Sequence, residues 1–161
     1  MTEFEMSDMG LLHYFLGLEI NQAEDGIFIS QKRYDRNILN KFGMLNCKPV
    51  ATPINASEKL QVNDRALKAE AKTFRSLVGS LIYLTHTRPV ISFSIGVISR
   101  FMQQSSKVHF GAAKNVLGYI ARTINYGIWS NNLELKEASY NCPPLKLSTL
   151  QPLQQLAKPS G

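Results

Sequence analysis

Glu24 and Asp25 are the only adjacent acidic residues in this chain of 161 residues. Paired carboxylates are the groups with which phosphoryl-transfer enzymes hold two Mg²⁺ ions, so this pair is the first candidate for catalysis. The pair stands directly before Gly26, however, and an Asp-Gly pair between two apolar segments is typical of a tight hairpin turn. Because a solvated turn tip has no walls to enclose a metal, we expect a turn here and no catalytic residue in the chain.

Histidines and cysteines are too scattered to suggest a metal site. No Cys, Asp or Glu stands at ligand spacing beside His13, His86 or His109, which we expect to be packing or surface residues. Only two cysteines occur, Cys47 and Cys142, which argues against a disulfide scaffold and a thiolate site. We expect this chain to bind neither a metal nor another cofactor.

Basic residues point to a different chemistry, the binding of phosphate groups. Residues 31–129 contain fifteen lysines and arginines against four acids, whereas residues 1–30 contain six acids and no basic residue. So basic a segment is typical of a surface near a nucleic-acid backbone, although a merely solvated face has the same composition. We predict phosphate contacts from Lys32, Arg33 and Arg36, and weaker ones from a second group, Lys107, Lys114 and Arg122.

A β-hairpin is expected to position the first of these groups. Side chains alternate over residues 13–20, which predicts a half-buried strand with one face formed by Tyr14, Leu16, Leu18 and Ile20. A second strand is expected at residues 27–29, connected by the turn at residues 24–26. Burial of Leu16 is part of this prediction.

Four helices are predicted after the hairpin. Ser30 is expected to cap the first, over residues 31–42, and Gly43 to end it. Further helices at about 72–85, 90–103 and 107–122 have apolar sides that should pack together, formed by Phe74, Leu77, Val78, Leu81, Ile91, Ile95, Ile98, Met102, Phe110, Ala113, Leu117 and Ile120. A strand is expected to begin at Tyr126.

The expected fold class is therefore α+β, with an N-terminal β-hairpin followed by a mainly helical bundle. Pro49 and Pro53 predict a connecting loop over residues 49–71. Residues 130–161 contain four prolines and no sustained periodicity, which predicts a disordered tail. The sequence has no signal peptide and no apolar run long enough to span a membrane, so we expect an intracellular protein of unknown compartment.

Five blocks of sequence resemble, in order, the reverse transcriptase of Ty1/copia-type retrotransposon polyproteins. They are Leu12–Ile20 with Gly26–Lys32; Lys41–Met44 with Cys47–Pro49 and Thr52-Pro53; Phe74–Leu84; Thr87–Pro89; and Ala112–Ile120. The resemblance covers residues 2–129 and implies a partial polymerase fold. Residues 2–48 would form the palm end, primer-grip hairpin and first helix, 49–71 the connecting loop, 72–129 the helical thumb and connection, and 130–161 a divergent tail.

The same resemblance implies which residues contact nucleic acid. Phe15, Leu16 and Gly17 would form the primer grip. In the family the catalytic aspartates lie upstream of the segment resembling residues 4–8, and its polymerase uses Mg²⁺. We therefore expect an inactive remnant that binds the backbone of an RNA–DNA or DNA duplex weakly and nonspecifically, and that does not bind membranes.

Two alternatives remain open from the sequence. The chain could complement a separate palm fragment as one subunit of a split reverse transcriptase, or it could be a helical module that binds proteins or nucleic acid without any polymerase role. The sequence departs from the family pattern at Val90, where the family has an acid, and near Asn115, Gly118 and Ala121, where basic residues are missing. The missing basic charges on the last helix favour weak duplex binding.

Overall fold

A computed structural model of the chain describes residues 12–55, 59–131 and 135–139. It contains five strands: β1 (Tyr14–Phe15), β2 (Leu18–Ala23), β3 (Gly26–Ser30), β4 (Tyr126–Ser130) and β5 (Leu135–Ser139). The helices are α1 (Lys32–Lys41), α2 (Ala71–Leu84), α3 (Ser92–Ser99) and α4 (Lys107–Arg122), and a 3₁₀ turn at Pro89–Ile91 precedes α3. The predicted α+β class, with a hairpin before a helical region, is confirmed.

The strands form one antiparallel sheet in the order β1-β2-β3-β4-β5. Strands β3 and β4 are neighbours in the sheet although all four helices lie between them in the sequence. Phe28 lies opposite Trp129, and Ser30 lies opposite Gly127. All four helices are thus inserted between two neighbouring strands. This pairing fixes the position of the N-terminal hairpin relative to the end of α4.

The first helix begins one residue later than predicted, and Ser30 does not cap it. Ser30 is the buried last residue of β3 and pairs with Glu19 on one side as well as with β4 on the other. Gln31 takes the N-cap position without a side-chain cap. At the other end Gly43 has a φ angle of +66°, which confirms the predicted left-handed residue after the helix.

The predicted apolar faces of α2, α3 and α4 meet in one core. Helix α3 is shorter than the predicted 90–103, because the 3₁₀ turn occupies its start and the chain leaves the helix after Ser99. Phe110 and Met102 lie only half-buried at the edge of the core. The other predicted core residues are buried, and they pack with Ile38 and Leu39 of α1. Helix α1, and with it the basic residues, is thereby anchored to the bundle.

Part of the predicted tail is ordered as a strand. Residues 135–139 pair with β4, with Gly127 opposite Ala138 and Trp129 opposite Lys136. Their sequence gave no strong strand signal, but the open edge of β4 offers backbone groups that pair with almost any sequence. Residues 140–161 lie outside the described residues. Within the described parts, no helix combines the length and apolar character needed to cross a membrane.

Candidate nucleic-acid interface

Leu16 and Gly17 form a two-residue hairpin turn directly after Phe15, the last residue of β1, and so the three residues are not part of one long strand. Phe15 pairs with Leu18, and the two residues between them, Leu16 and Gly17, both have positive φ angles, +48° and +84°. Positive φ at both positions is typical of the type I′ turn that joins adjacent antiparallel strands. The predicted strand over residues 13–20 is therefore wrong at its centre.

The turn exposes side chains that were expected to be buried. The side chain of Leu16 is 74% exposed and that of Phe15 is 53% exposed, because the turn carries both beyond the sheet. The alternation of apolar residues missed this, since leucine rarely takes a positive φ and glycine was the only local turn signal. An apolar, exposed tip is available for contact with another molecule.

Tyr83 of α2 fixes the turn to the helical region. Its hydroxyl group donates a hydrogen bond to the backbone carbonyl oxygen of Leu16. A Cβ atom on Gly17 would lie only 2.7 Å from the same hydroxyl oxygen. Any residue larger than glycine at this position would therefore require Tyr83 or the turn to move. The ring of Tyr34, on α1, packs edge-on against Tyr83 with 4.8 Å between ring centroids.

The first basic group lies on α1 beside this hairpin. The backbone N–H of Arg33 donates to the Glu19 carboxylate of β2 at 2.8 Å, and the Arg33 guanidinium lies 5.6 Å from the ring centroid of Tyr14. Arg33 and Arg36 are exposed, and Lys32 is half-buried. The structure therefore brings the predicted primer grip and the predicted phosphate-binding helix together.

The second basic group divides between the two ends of α4. Lys107 and Lys114 line a cleft of about 470 Å³ between the beginnings of α2 and α4. Arg122 is the last residue of α4, at the end nearest the sheet. Lys68, which the sequence did not single out, lines the cleft with the two lysines. Only two of the three predicted residues therefore share a surface.

A buried ion pair between α1 and the α2–α3 connection was not predicted from the sequence. The guanidinium group of Arg88 contacts the Asp35 carboxylate, and both side chains are fully buried. Arg88 also donates to the carbonyl oxygen and hydroxyl of Thr123 at 2.6 and 2.7 Å, and Thr87 donates to the side-chain oxygen of Gln31 at 2.6 Å. These bonds join α1, the α2–α3 connection and the end of α4.

Burial dominates the electrostatics of this pair. Desolvation raises the pKa of Asp35 to about 6, although the Arg88 charge and hydrogen bond act in the opposite direction. A sequence signal existed, because Asp35 precedes Ile38 and Leu39 by three and four residues and so lies on the apolar side of α1. An acid at such a position requires a buried cationic partner.

His109 forms part of the N-terminal cap of α4 and holds the connecting loop in place. Its Nδ1 accepts from the Ser106 backbone N–H at 3.0 Å, its Nε2 contacts the Gln61 carbonyl oxygen at 3.0 Å, and its ring stacks on Phe101 at 3.9 Å. Ser106 donates its hydroxyl to Asp64 at 2.5 Å. The serine, histidine and aspartate resemble a hydrolytic triad in composition only. The serine hydroxyl donates its hydrogen bond to the aspartate rather than to the histidine, and Ser106 and His109 together form the N-terminal cap of α4.

Glu24 and Asp25 occupy the exposed β2–β3 turn, as predicted. The depression beside them is otherwise lined by Gln22, Asn131 and residues without acidic, histidine or cysteine side chains. Among the described residues, no group of three or more His, Cys, Asp or Glu side chains is placed to hold a metal ion.

Comparison with known proteins identifies the family. A family model described as reverse transcriptase (RNA-dependent DNA polymerase) matches residues 1–56. The uncharacterized mitochondrial protein AtMg00810 of Arabidopsis thaliana is 40% identical over 128 residues, which cover 80% of this chain and 53% of that protein. The retrovirus-related Pol polyprotein from transposon RE1 of the same plant is 39% identical over 126 residues. These matches support a copia-type retrotransposon reverse transcriptase fragment.

The copia-type resemblance predicted from the ordered blocks is thereby confirmed. The chain spans about half the length of AtMg00810 but only 9% of the RE1 polyprotein. A further copia-type relative, the retrovirus-related Pol polyprotein from transposon TNT 1-94 of Nicotiana tabacum, is 35% identical over 74% of this chain and 10% of the polyprotein. No solved structure matches the chain.

Proposed function

We propose that this chain is the part of a copia-type reverse transcriptase that holds the template–primer duplex, and that it binds the duplex by its sugar–phosphate backbone. The observation that carries the proposal is the docking of the exposed Leu16-Gly17 turn onto Tyr83, beside the basic helix α1. Arg33 and Arg36 can neutralise phosphates while the turn supports the primer strand. Such contacts fix the register of a duplex without selecting a base sequence.

We also propose that the 161-residue chain does not add nucleotides by itself. Two-metal phosphoryl transfer needs carboxylates that bridge Mg²⁺ ions about 3.5–4 Å apart. The adjacent acids Glu24 and Asp25 do not fit that requirement, because they stand at an exposed turn whose surroundings supply no third acid or histidine among the described residues.

Primer extension distinguishes the inactive form from a complementing subunit. The purified chain is incubated with an RNA template, a DNA primer, deoxynucleotides and Mg²⁺, alone and with a separately expressed palm fragment of a copia-type relative. No extension in either mixture fits an inactive remnant. Extension only with the palm fragment identifies a subunit of a split enzyme, and extension by the chain alone contradicts the proposal.

Binding to a duplex distinguishes both forms from an unrelated helical interaction module. Fluorescence anisotropy with a labelled RNA–DNA duplex should give a dissociation constant that rises steeply with salt, because each neutralised phosphate releases counterions. A helical module that binds proteins instead would bind no duplex, or would bind it without this salt dependence.

A further inference from the structure

The cleft between the first turns of α2 and α4 is separate from the hairpin and has its own chemistry. Its lining includes Lys68, Lys107 and Lys114, opposed by a single acid, Glu70. The Glu70 carboxylate accepts a hydrogen bond from the Thr73 hydroxyl at 2.5 Å, so this acid is already engaged at the cleft wall. The remaining charge of the cleft is positive and suited to an anion.

The loops before the two helices build the cleft. The Ala69 N–H donates to the Ser105 carbonyl oxygen at 2.9 Å, and the Lys107 N–H donates to the Leu67 carbonyl oxygen at 2.8 Å. Lys68 pairs with Ser106 between these bonds. The two helices therefore begin side by side, and the loop lysine is held at the same opening as the helical ones.

An aromatic ring is also part of the cleft lining. Phe110 is half-buried and packs against Phe74 with 6.4 Å between ring centroids, which supports the ring from the core side. The Lys114 ammonium lies 5.3 Å from the Phe110 ring centroid. Lys107 and Lys114 are two helical turns apart, about 10 Å along the axis, so they can contact different phosphates of one strand.

We infer that this cleft binds a single-stranded stretch of nucleic acid, with an unpaired base on Phe110 and its neighbouring phosphates on Lys68, Lys107 and Lys114. The combination of a positively charged groove with an aromatic platform is the usual basis of single-strand binding. A paired base is enclosed within the duplex stack and cannot reach a ring inside a cleft of about 470 Å³. The cleft thus takes a different form of nucleic acid from the one proposed for the hairpin.

Two double variants separate the cleft from the hairpin interface. Lys107→Gln with Lys114→Gln removes cleft charges, and Arg33→Gln with Arg36→Gln removes α1 charges. Lys48→Gln with Lys59→Gln changes the same charge at two exposed lysines outside both surfaces. Each is titrated with a labelled single-stranded oligonucleotide and with a blunt RNA–DNA duplex over a range of salt concentrations, and thermal melting checks that each variant folds.

The cleft variant should weaken single-strand binding about tenfold and lower its salt slope by about 1.4, because each single-strand phosphate contact contributes about 0.7. Its duplex affinity should match that of the Lys48, Lys59 control. An equal loss of affinity for the single strand and for the duplex, or no loss of affinity for either, would overturn the cleft assignment. The hairpin proposal is tested separately, because it predicts that the α1 variant loses affinity for the duplex whereas the cleft variant does not.

Photo-cross-linking tests the aromatic contact. A single strand containing 5-bromouracil should, on irradiation, attach to the peptide that contains Phe110, as identified by mass spectrometry. Phe110→Leu keeps an apolar side chain against the core and should abolish this adduct while weakening single-strand binding about tenfold. Cross-links confined to other peptides, or displacement of the oligonucleotide by inorganic phosphate as readily as by competing strand, would contradict base stacking in the cleft.

Discussion

The Tyr83 hydroxyl donates a hydrogen bond to the backbone carbonyl oxygen of Leu16, and this hydrogen bond joins the tip of the N-terminal hairpin to α2. Leu16 and Tyr83 are 67 residues apart in the chain. The contact orients an exposed apolar turn toward the same side as α1. In our account the position of this turn determines where a primer strand can lie.

Tyr83→Phe should loosen the turn while leaving the helical core intact. Loss of one hydrogen bond to a backbone carbonyl costs about 1 kcal/mol of unfolding free energy. Hydrogen–deuterium exchange of the amides at residues 14–19 should accelerate more than that of α4. Tyr34→Phe is the matched control, since it also removes one hydroxyl, whose contact with the Ser80 carbonyl oxygen is long at 3.5 Å. Equal effects of the two substitutions would contradict a specific role for Tyr83.

Gly17→Ala should destabilise the chain by about 1–2 kcal/mol, because an alanine at a φ of +84° is strained. The new Cβ would also meet the Tyr83 hydroxyl oxygen at 2.7 Å. Urea unfolding measures the change. Gly79→Ala, inside α2 with no atom within 4 Å of the added Cβ, should instead leave stability unchanged or raise it slightly. A neutral Gly17→Ala would mean that the turn has another conformation.

Removing one member of the buried ion pair should destabilise the folded chain strongly. Arg88→Met leaves the Asp35 carboxylate buried without its partner and should cost about 3–5 kcal/mol in urea unfolding. The double variant with Asp35→Leu should lose less stability than Arg88→Met alone, because it buries no unpaired charge. If the two substitutions are simply additive, the side chains do not interact as described.

The raised pKa of Asp35 gives a pH dependence whose sign follows from linkage. The pKa of Asp35 is about 6 in the folded chain, and its reference value is 3.8. Between these two pH values the folded state therefore holds more protons than the unfolded state. The stability contributed by Asp35 should therefore fall as the pH rises from about 4 to about 6 and stay level above that. Carbon-13 NMR titration of the Asp35 carboxyl group measures the pKa directly. A value below 3.8 would show that attraction by Arg88 outweighs desolvation.

Sequence patterns predicted the helices and their core because burial imposes a regular spacing on Phe74, Leu77, Leu117 and similar residues. They could not predict features that depend on distant partners. The β3–β4 pairing and the Asp35–Arg88 contact each join segments more than fifty residues apart. The Leu16-Gly17 turn was missed for a local reason, since its alternating apolar residues are equally compatible with a continuous strand. Lys68 gave no signal because its loop has no periodicity.

The most direct test of the proposed function is the affinity of the intact chain for an RNA–DNA duplex, with and without the α1 charges. We predict that Arg33→Gln with Arg36→Gln weakens binding to duplexes of unrelated sequence by the same factor. The salt slope should fall by about 1.8, since each duplex phosphate contact contributes about 0.9. The Lys48→Gln, Lys59→Gln control should bind like the unaltered chain. Unchanged affinity in the α1 variant, or a loss confined to one sequence, would contradict backbone binding by the hairpin and α1.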